Sequence, residues 1–339
     1  MMSFADMEPE ATGGRGVNAH ARLQDLLEEI KLADDLGLDV FGIGEHHRAD
    51  YAVSAPAVTL GAAAAITKNI RLTSAVTVLS SDDPVRVYQS FSTIDLLSGG
   101  RAEIMAGRGS FIESFPLFGY SLDDYESLFN EKLDLLLAIN EKEEVNWSGK
   151  HRASIEDLVV YPRPLQSKLP IWLAAGGTPA SAVRAAKLGL PLMLAIIGGQ
   201  PQHFVPFINL YKETWKKNNK ADARFGINNH VFVGEDSKSI SREFYPYYAT
   251  MMNRVGKSRG WPPLSTQHFE AARSPMGALM VGSVQEVTEK LLYEYELFGF
   301  TRFIAQASIG TVPHKLTMKS IELFGSKVVP EVKKHISKQ

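Results

Sequence analysis

The strongest constraint on this chain is the alternation of short apolar runs with amphipathic stretches from one end to the other. Strand-like runs fall at 38–44, 70–79, 101–107, 170–175, 191–196, 224–233 and 302–307. Helical patterns lie between them at 23–36, 55–67, 84–97, 128–139, 180–188 and 284–298. Such alternation marks strand–helix–strand units and therefore a parallel sheet. Several helices run out at glycine, as in Leu36-Gly37, Ser98-Gly99, Leu188-Gly189 and Phe298-Gly299, because glycine takes the left-handed conformation that stops a helix. Seven or eight repeats in 339 residues, with no long linker, predict an α/β fold of the (β/α)8 TIM-barrel type, one domain over 1–339.

The first strand is the weak point. Only residues 1–5 are available for it, so either the strand is stubby or its start is clipped. Two stretches are longer or less regular than a barrel needs. The turn-rich segment 145–166 predicts a hairpin between the fourth helix and the fifth strand. The segment 237–277 carries the cluster Phe244-Tyr245-Pro246-Tyr247-Tyr248 and is read as an irregular insertion acting as a lid or pocket wall. Its tyrosines suit a pocket wall and a core anchor equally.

Composition narrows the function. A hydrophobic fraction of 45% supports a large core, and a net charge of −2 with interleaved signs gives no basic stripe for nucleic acid. The absence of cysteine removes disulfides, thiolate metal sites and thiol nucleophiles. No run approaches the ~18 apolar residues of a membrane span. The acidic start MMSFADMEPE lacks the basic and apolar regions of a signal peptide, so a cytoplasmic location is expected.

The chemistry sits where the strands end. LDVFGIGEHHRADY stops an apolar run at Glu45-His46-His47; Ser80-Ser81-Asp82-Asp83-Pro84, Gly107-Arg108-Gly109-Ser110 and Gly176-Gly177-Thr178-Pro179 follow later strands. In a barrel all of these converge on the C-terminal rim. Two histidines in a loop, taken alone, read as surface residues. Gly-Gly-Thr-Pro opening a helix suits an anion: the backbone approaches closely and free N–H groups point at the ligand. Thr178 and Ser181 add hydroxyls, and Arg108 adds charge. An ordinary strand-to-helix turn explains Gly176-Gly177 alone, but with Arg108-Gly109-Ser110 beside it a phosphate site is the better reading. Gly42-Ile43-Gly44 and Gly107-Arg108-Gly109 begin like dinucleotide fingerprints, yet His47 and Ile112 stand where the third glycine belongs. No metal site is expected, since adjacent histidines on extended backbone diverge and no i, i+4 pair completes a site.

Five motifs then occur in order between Leu23 and Gly199: ADDLGLDVFGIGEHH, SAVTVLSSDDPVRV, DLLSGGRAEIMAGRGSFIESFPLFGY, YPRPLQ and WLAAGGTPASAVRAAKLGLP. Together they resemble the bacterial luciferase-like monooxygenases, flavin-dependent (β/α)8 barrels. The resemblance implies that His46 is the catalytic imidazole near the flavin and that Arg108, Gly177, Thr178 and Ser181 bind its phosphate. It also implies a non-proline cis peptide at Ala75-Val76 supporting the isoalloxazine ring, and a homodimer. Luciferase itself has a cysteine at the position of Gly107, so light emission is not implied. The resulting expectation is an FMN-dependent monooxygenase that uses reduced flavin and O2 to oxidise a small organic substrate. His46, tuned near neutrality, would move the proton, and with no dinucleotide fingerprint a separate flavin reductase would supply electrons.

Three alternatives stay open. An F420-dependent hydride-transfer oxidoreductase of the same fold would want more basic residues at the mouth than Arg108 and Arg48. A non-catalytic flavin-binding protein would not need the EHH imidazole. A hydrolase would need paired carboxylates, for which Glu45 and Glu113 are the candidates. His230, near the end of the seventh strand, either faces the pocket or is structural.

Overall fold

The computed structural model describes residues 1–7, 18–109 and 111–337. The chain runs β1 (Met2–Ser3), α1 (Ala19–Asp35), β2 (Val40–Ile43), α2 (Pro56–Ile66), β3 (Arg71–Ser74), β4 (Thr77–Val78), α3 (Pro84–Ser98) and β5 (Ala102–Gly107). It continues through α4 (Ser114–Leu117), α5 (Tyr125–Glu141), β6 (Glu144–Trp147), β7 (Ile155–Val159), β8 (Ile171–Ala175), α6 (Pro179–Lys187), β9 (Leu192–Ala195) and α7 (Val205–Asn218). The last third holds β10 (Phe225–Gly234), α8 (Ser237–Lys257), α9 (Thr266–Arg273), β11 (Met280–Ser283), α10 (Val284–Phe298), β12 (Arg302–Ser308), α11 (His314–Leu323) and α12 (Val329–Ile336).

Eight parallel strands close on themselves in the order β10-β12-β1-β2-β3-β5-β8-β9, with β9 pairing back onto β10. This is the (β/α)8 barrel that the alternation predicts. The first strand is the stubby one: Met2 lies opposite Gln306 on one side and Gly42 on the other. The expected hairpin is present as antiparallel β6 and β7.

The two-residue period of each strand sorts the core into two shells. Ile43, Leu72, Ile104, Leu173, Leu194 and Ile227 face outward and pack with the helices. Met2, Ala75, Met105, Trp172, Met193 and Ile304 form a separate cluster inside the barrel. At its floor Glu103 accepts from Arg71 at 2.5 Å and Arg302 at 2.6 Å, and the Arg302 guanidinium lies 4.2 Å from the Trp172 ring centroid. Helix ends follow the sequence signals. Asp83 caps α3 by accepting from the Val85 and Arg86 N–H groups, and Gly99 ends it at φ +72°. Ser283 and Glu286 form a capping box on α10, which Gly299 ends at φ +65°.

Two expectations change. The run 70–79 is not one strand: it breaks between β3 and β4, around a cis Ala75–Val76 peptide. The segment 237–277 is not irregular but mostly helical, built from α8 and α9. Pro246 lies inside α8, and Asp236 caps its start by accepting from the Ser239 N–H. Phe244, Tyr248 and Phe269 of this segment join Phe232 of β10 in a satellite core, where Phe232 and Phe244 stack at 4.5 Å. No described helix is long and apolar enough to cross a membrane.

Candidate active site

The inward alternation of β2 continues past its end. A β-carbon on Gly42 would meet Ala75 and Met2, and one on Gly44 would meet the Phe4 ring, so both positions face the barrel interior. His46 follows on the same side, while Glu45 and His47 turn away. The His46 N–H donates to the Val53 carbonyl at 3.0 Å. Its ring sits among Tyr51, Phe4 and Phe111, at centroid distances of 4.2, 4.5 and 5.4 Å. His46 is 7% exposed, and its Nε2 has no hydrogen-bond partner among the described residues. Burial holds its pKa down at about 3, which corrects the expectation of a group poised near neutrality. The imidazole is neutral because burial strips a charge of its water; the Asp50 carboxylate opposes this and the Arg48 guanidinium adds to it, and burial wins.

Glu45 does a different job on the outside. Its Oε2 accepts from the Val78 N–H at 2.9 Å and its Oε1 pairs with His47 Nε2 at 2.9 Å. The carboxylate thereby ties the exit of β2 to the backbone just beyond the Ala75–Val76 peptide. That peptide is held on the opposite flank as well. The Ala75 N–H donates to the Ile43 carbonyl at 2.7 Å, and Thr77 and Val78 pair with Ala106 and Gly107. Val76 packs directly against Gly107, where a β-carbon would come within 2.8 Å of the valine methyl groups. A cysteine at 107 has no room beside this valine.

The anion cradle forms as the sequence places it. Arg108, leaving β5, donates from Nη2 to Ser181 Oγ at 3.0 Å, and Ser181 Oγ lies 2.7 Å from Thr178 Oγ1. Gly177 sits at φ +106°, a conformation that favours glycine. Thr178 begins α6 without capping it through its side chain. Pro179 has no N–H and the Ser181 N–H donates to the Thr178 carbonyl at 3.0 Å, so the Ala180 N–H is the helix-start donor left for a ligand. Arg108 also pairs with the exposed Glu126, and its guanidinium lies 5.4 Å from the Tyr125 ring. Ser110 falls outside the described residues. The loop after β5 links the two halves of the site, since it carries Arg108 at one end and Phe111, against His46, at the other.

The remaining candidates separate. Arg48 is matched by Asp50 at 2.9 Å and Glu113 at 2.6 Å. Glu45 and Glu113 thus have different partners and form no pair. His230 faces inward, its Nδ1 3.2 Å from the Tyr248 hydroxyl, and burial lowers its pKa to about 3. Three features escape motif reading: Phe4, the aromatic pair Tyr51 and Phe111, and Gln306. Gln306 is buried with its Oε1 unpartnered. Strand periodicity alone would place it inside. From above, Arg254 of α8 pairs with Asp50 at 3.3 Å and donates to the Met7 carbonyl, and the Arg259 guanidinium lies 5.7 Å from the Phe111 centroid.

The chain is similar in sequence and in fold to known proteins. The N-acetyl-S-alkylcysteine monooxygenase of Bacillus subtilis (strain 168) is 30% identical over 228 residues, 66% of this chain and 62% of that protein. Among solved structures, the oxygenating constituent of 3,6-diketocamphane monooxygenase from the CAM plasmid of Pseudomonas putida is a type II Baeyer–Villiger monooxygenase in complex with FMN. It superposes with a TM-score of 0.79 at 19% identity, covering 98% of each chain. An F420-dependent secondary alcohol dehydrogenase superposes with a TM-score of 0.73 at 17% identity, covering 92% of this chain and 95% of that one. The family model described as luciferase-like monooxygenase matches residues 2–302, and the chain belongs to that family.

Proposed function

We propose that the protein is an FMN-dependent monooxygenase that oxidises a small organic substrate with O2. The observation that carries this reading is the cradle of Arg108, Ser181 and Thr178 on the Gly177 turn, linked through one loop to the buried, unpartnered His46. A guanidinium, two hydroxyls and a helix start suit one phosphate monoester, the tail group of FMN. Arg48, the other cation considered for the longer and more acidic tail of F420, is already matched by Asp50 and Glu113. This favours FMN over the deazaflavin.

Reduced FMN, when bound, supplies the electrons for activating O2. The chain's own residues do the rest. The cradle fixes the phosphate, and the small wall at Val76 and Gly107 leaves a flat surface for a ring. Glu45 holds that wall in place through the Val78 N–H. Phe4, Tyr51 and Phe111 exclude water around His46, so its Nε2 meets the reacting centre in a dry setting. There it can hold a proton or release one without carrying a resting charge. The segment 237–277, anchored by Arg254, serves as the lid. A separate reductase delivers the electrons. A homodimer through α2 and α3 is supported by the exposed side chains of Val58 and Ile66 on one helix and Leu96 and Leu97 on the other.

The test is anaerobic titration with reduced FMN, followed by mixing with O2 under absorbance detection. Saturable binding, and reoxidation slower than that of free reduced FMN, is the expected result. Binding without any change in reoxidation points to a carrier, and failure to bind FMN while binding F420 points to hydride transfer.

A further inference from the structure

The inner face of the barrel from β10 to β1 carries polar groups that the cofactor reading leaves unused. Ile227, Val231, Ala305 and Ala307 pack with the helices, so the alternate residues Asn228, His230 and Gln306 point inward. The registers set His230 beside Gln306 and Gln306 beside Met2, with neighbouring strands about 4.8 Å apart. Gln306 is 3% exposed, and its Oε1 has no hydrogen-bond partner among the described residues. His230 is fixed from one side by the Tyr248 hydroxyl at Nδ1, which leaves Nε2 as its remaining hydrogen-bonding atom. Asn228 is satisfied by the Ile304 carbonyl at 2.9 Å. The unsatisfied group is Gln306. A buried amide without a partner is costly in a folded protein and is a reason to look for a ligand.

We propose that His230 and Gln306 anchor the polar end of the organic substrate, and that this end is an uncharged ketone or alcohol on an otherwise apolar body. Phe4, Val76 and Ala174 offer the apolar surface next to the inner cluster. The exclusion of charge follows from the neighbours. Burial keeps both His46 and His230 neutral and the Tyr248 phenol protonated. The cations close to this end each already face a carboxylate: Arg22 with Glu29 at 3.0 Å, Arg48 with Asp50 and Glu113, and Arg254 with Asp50, although Arg254 Nη2 is buried without a hydrogen-bond partner among the described residues. A carboxylate or phosphate on Gln306 would be buried with no free counter-ion.

The inference rests on the monooxygenase reading for what happens to the bound molecule, but its binding test needs no flavin. Four size-matched probes are titrated by ligand-observed NMR into the flavin-free protein: 4-phenylbutan-2-one, 4-phenylbutan-2-ol, butylbenzene and 3-phenylpropanoate. The ketone and the alcohol should bind at least about tenfold tighter than the hydrocarbon and the carboxylate. Gln306→Leu should reduce that preference to about twofold, and Tyr248→Phe, which keeps the ring and frees His230, should weaken it about threefold. Melting temperatures of both variants check that they fold. Equal affinities, no binding by any probe, tightest binding of the carboxylate, or a preference unchanged in both variants overturns the proposal. A wild-type protein that fails to bind FMN yet shows the ketone preference would break the cofactor reading and leave the anchor standing.

Discussion

The two ends of the barrel interior treat buried polar groups in opposite ways. At the floor, Glu103 is claimed by Arg71 and Arg302, Arg71 also reaches Gln166 at 2.9 Å, and Arg302 covers Trp172. At the mouth, His46 Nε2 and Gln306 Oε1 are also buried and have no partner among the described residues. Polar groups saturated by one another stabilise a fold and bind nothing. Polar groups left open where the cavity lies are available to a ligand, unlike open groups such as the Tyr88 hydroxyl and Asn229 Oδ1 that lie outside the barrel interior. The contrast separates stability from function within one cavity and can be tested at either end.

The largest expected effect is at the mouth. His46→Ala should lower product formed per FMN oxidised by about 10²-fold or more, with flavin affinity and melting temperature close to wild type. At the floor, Glu103→Ala should remove about 3–5 kcal/mol of stability in urea titration, because two guanidinium groups lose their counter-charge. FMN affinity should then be unchanged in whatever protein remains folded. A large stability loss from the first change, or a catalytic loss without destabilisation from the second, would break the comparison. Arg108→Ala should weaken FMN binding about 10- to 100-fold while leaving riboflavin, which lacks the phosphate, nearly unaffected. Equal losses for both flavins would place the phosphate elsewhere.

Titration sharpens the contrast further. His46 and His230 have pKa values near 3 when folded, against an ordinary value of 6.5. The unfolded chain therefore takes up protons between those values that the folded chain refuses. Their contribution to stability is full above about pH 6.5 and is lost as the pH falls toward 3. Asp6, which burial raises to about 7, works in the opposite direction. His230→Gln should flatten the drop in urea midpoint between pH 7 and pH 5 relative to wild type. An unchanged slope would mean that this imidazole does not sit neutral. The smallest effect is expected at Glu126, which pairs with Arg108 and Arg184. Glu126→Gln should tighten FMN about two- to threefold at low salt and do nothing at high salt.

Much of this was legible in the sequence, for physical reasons that differ by region. The barrel strands are apolar runs with glycine-stopped helices between them, and local signals suffice. His46, Arg108, Gly177, Thr178 and Ser181 could be named because strand order alone delivers them to one rim. The helix α8 escaped because Pro246 and a run of aromatics look like a helix breaker and a loop, whereas tertiary packing on Phe232 holds the helix together. Residues 280–283 escaped because a four-residue strand directly before a capping box leaves no room for a period to show. Gln306, Tyr248 and the clamp of Glu45 on the Val78 N–H arise from register between strands distant in sequence, which no local pattern encodes. The charge state of His46 is hidden for the same reason, since Phe4 and Phe111 come from the segments that follow β1 and β5.

The two-residue β1 has a consequence for how the barrel opens. It is as short a seam as any in the wall, two residues opposite Gly42 and Ile43 of β2, with the Gly42 N–H donating to the Met1 carbonyl, the Gly44 N–H to the Ser3 carbonyl and the Met1 amino group to the Val40 carbonyl. Few bonds must part there for the wall to breathe, and Phe4, Gln306 and His46 all border it. Amide hydrogen exchange should find Gly42 and Gly44 the least protected of the barrel-strand amides, which would make the seam beside the proposed anchor a second door, independent of the lid.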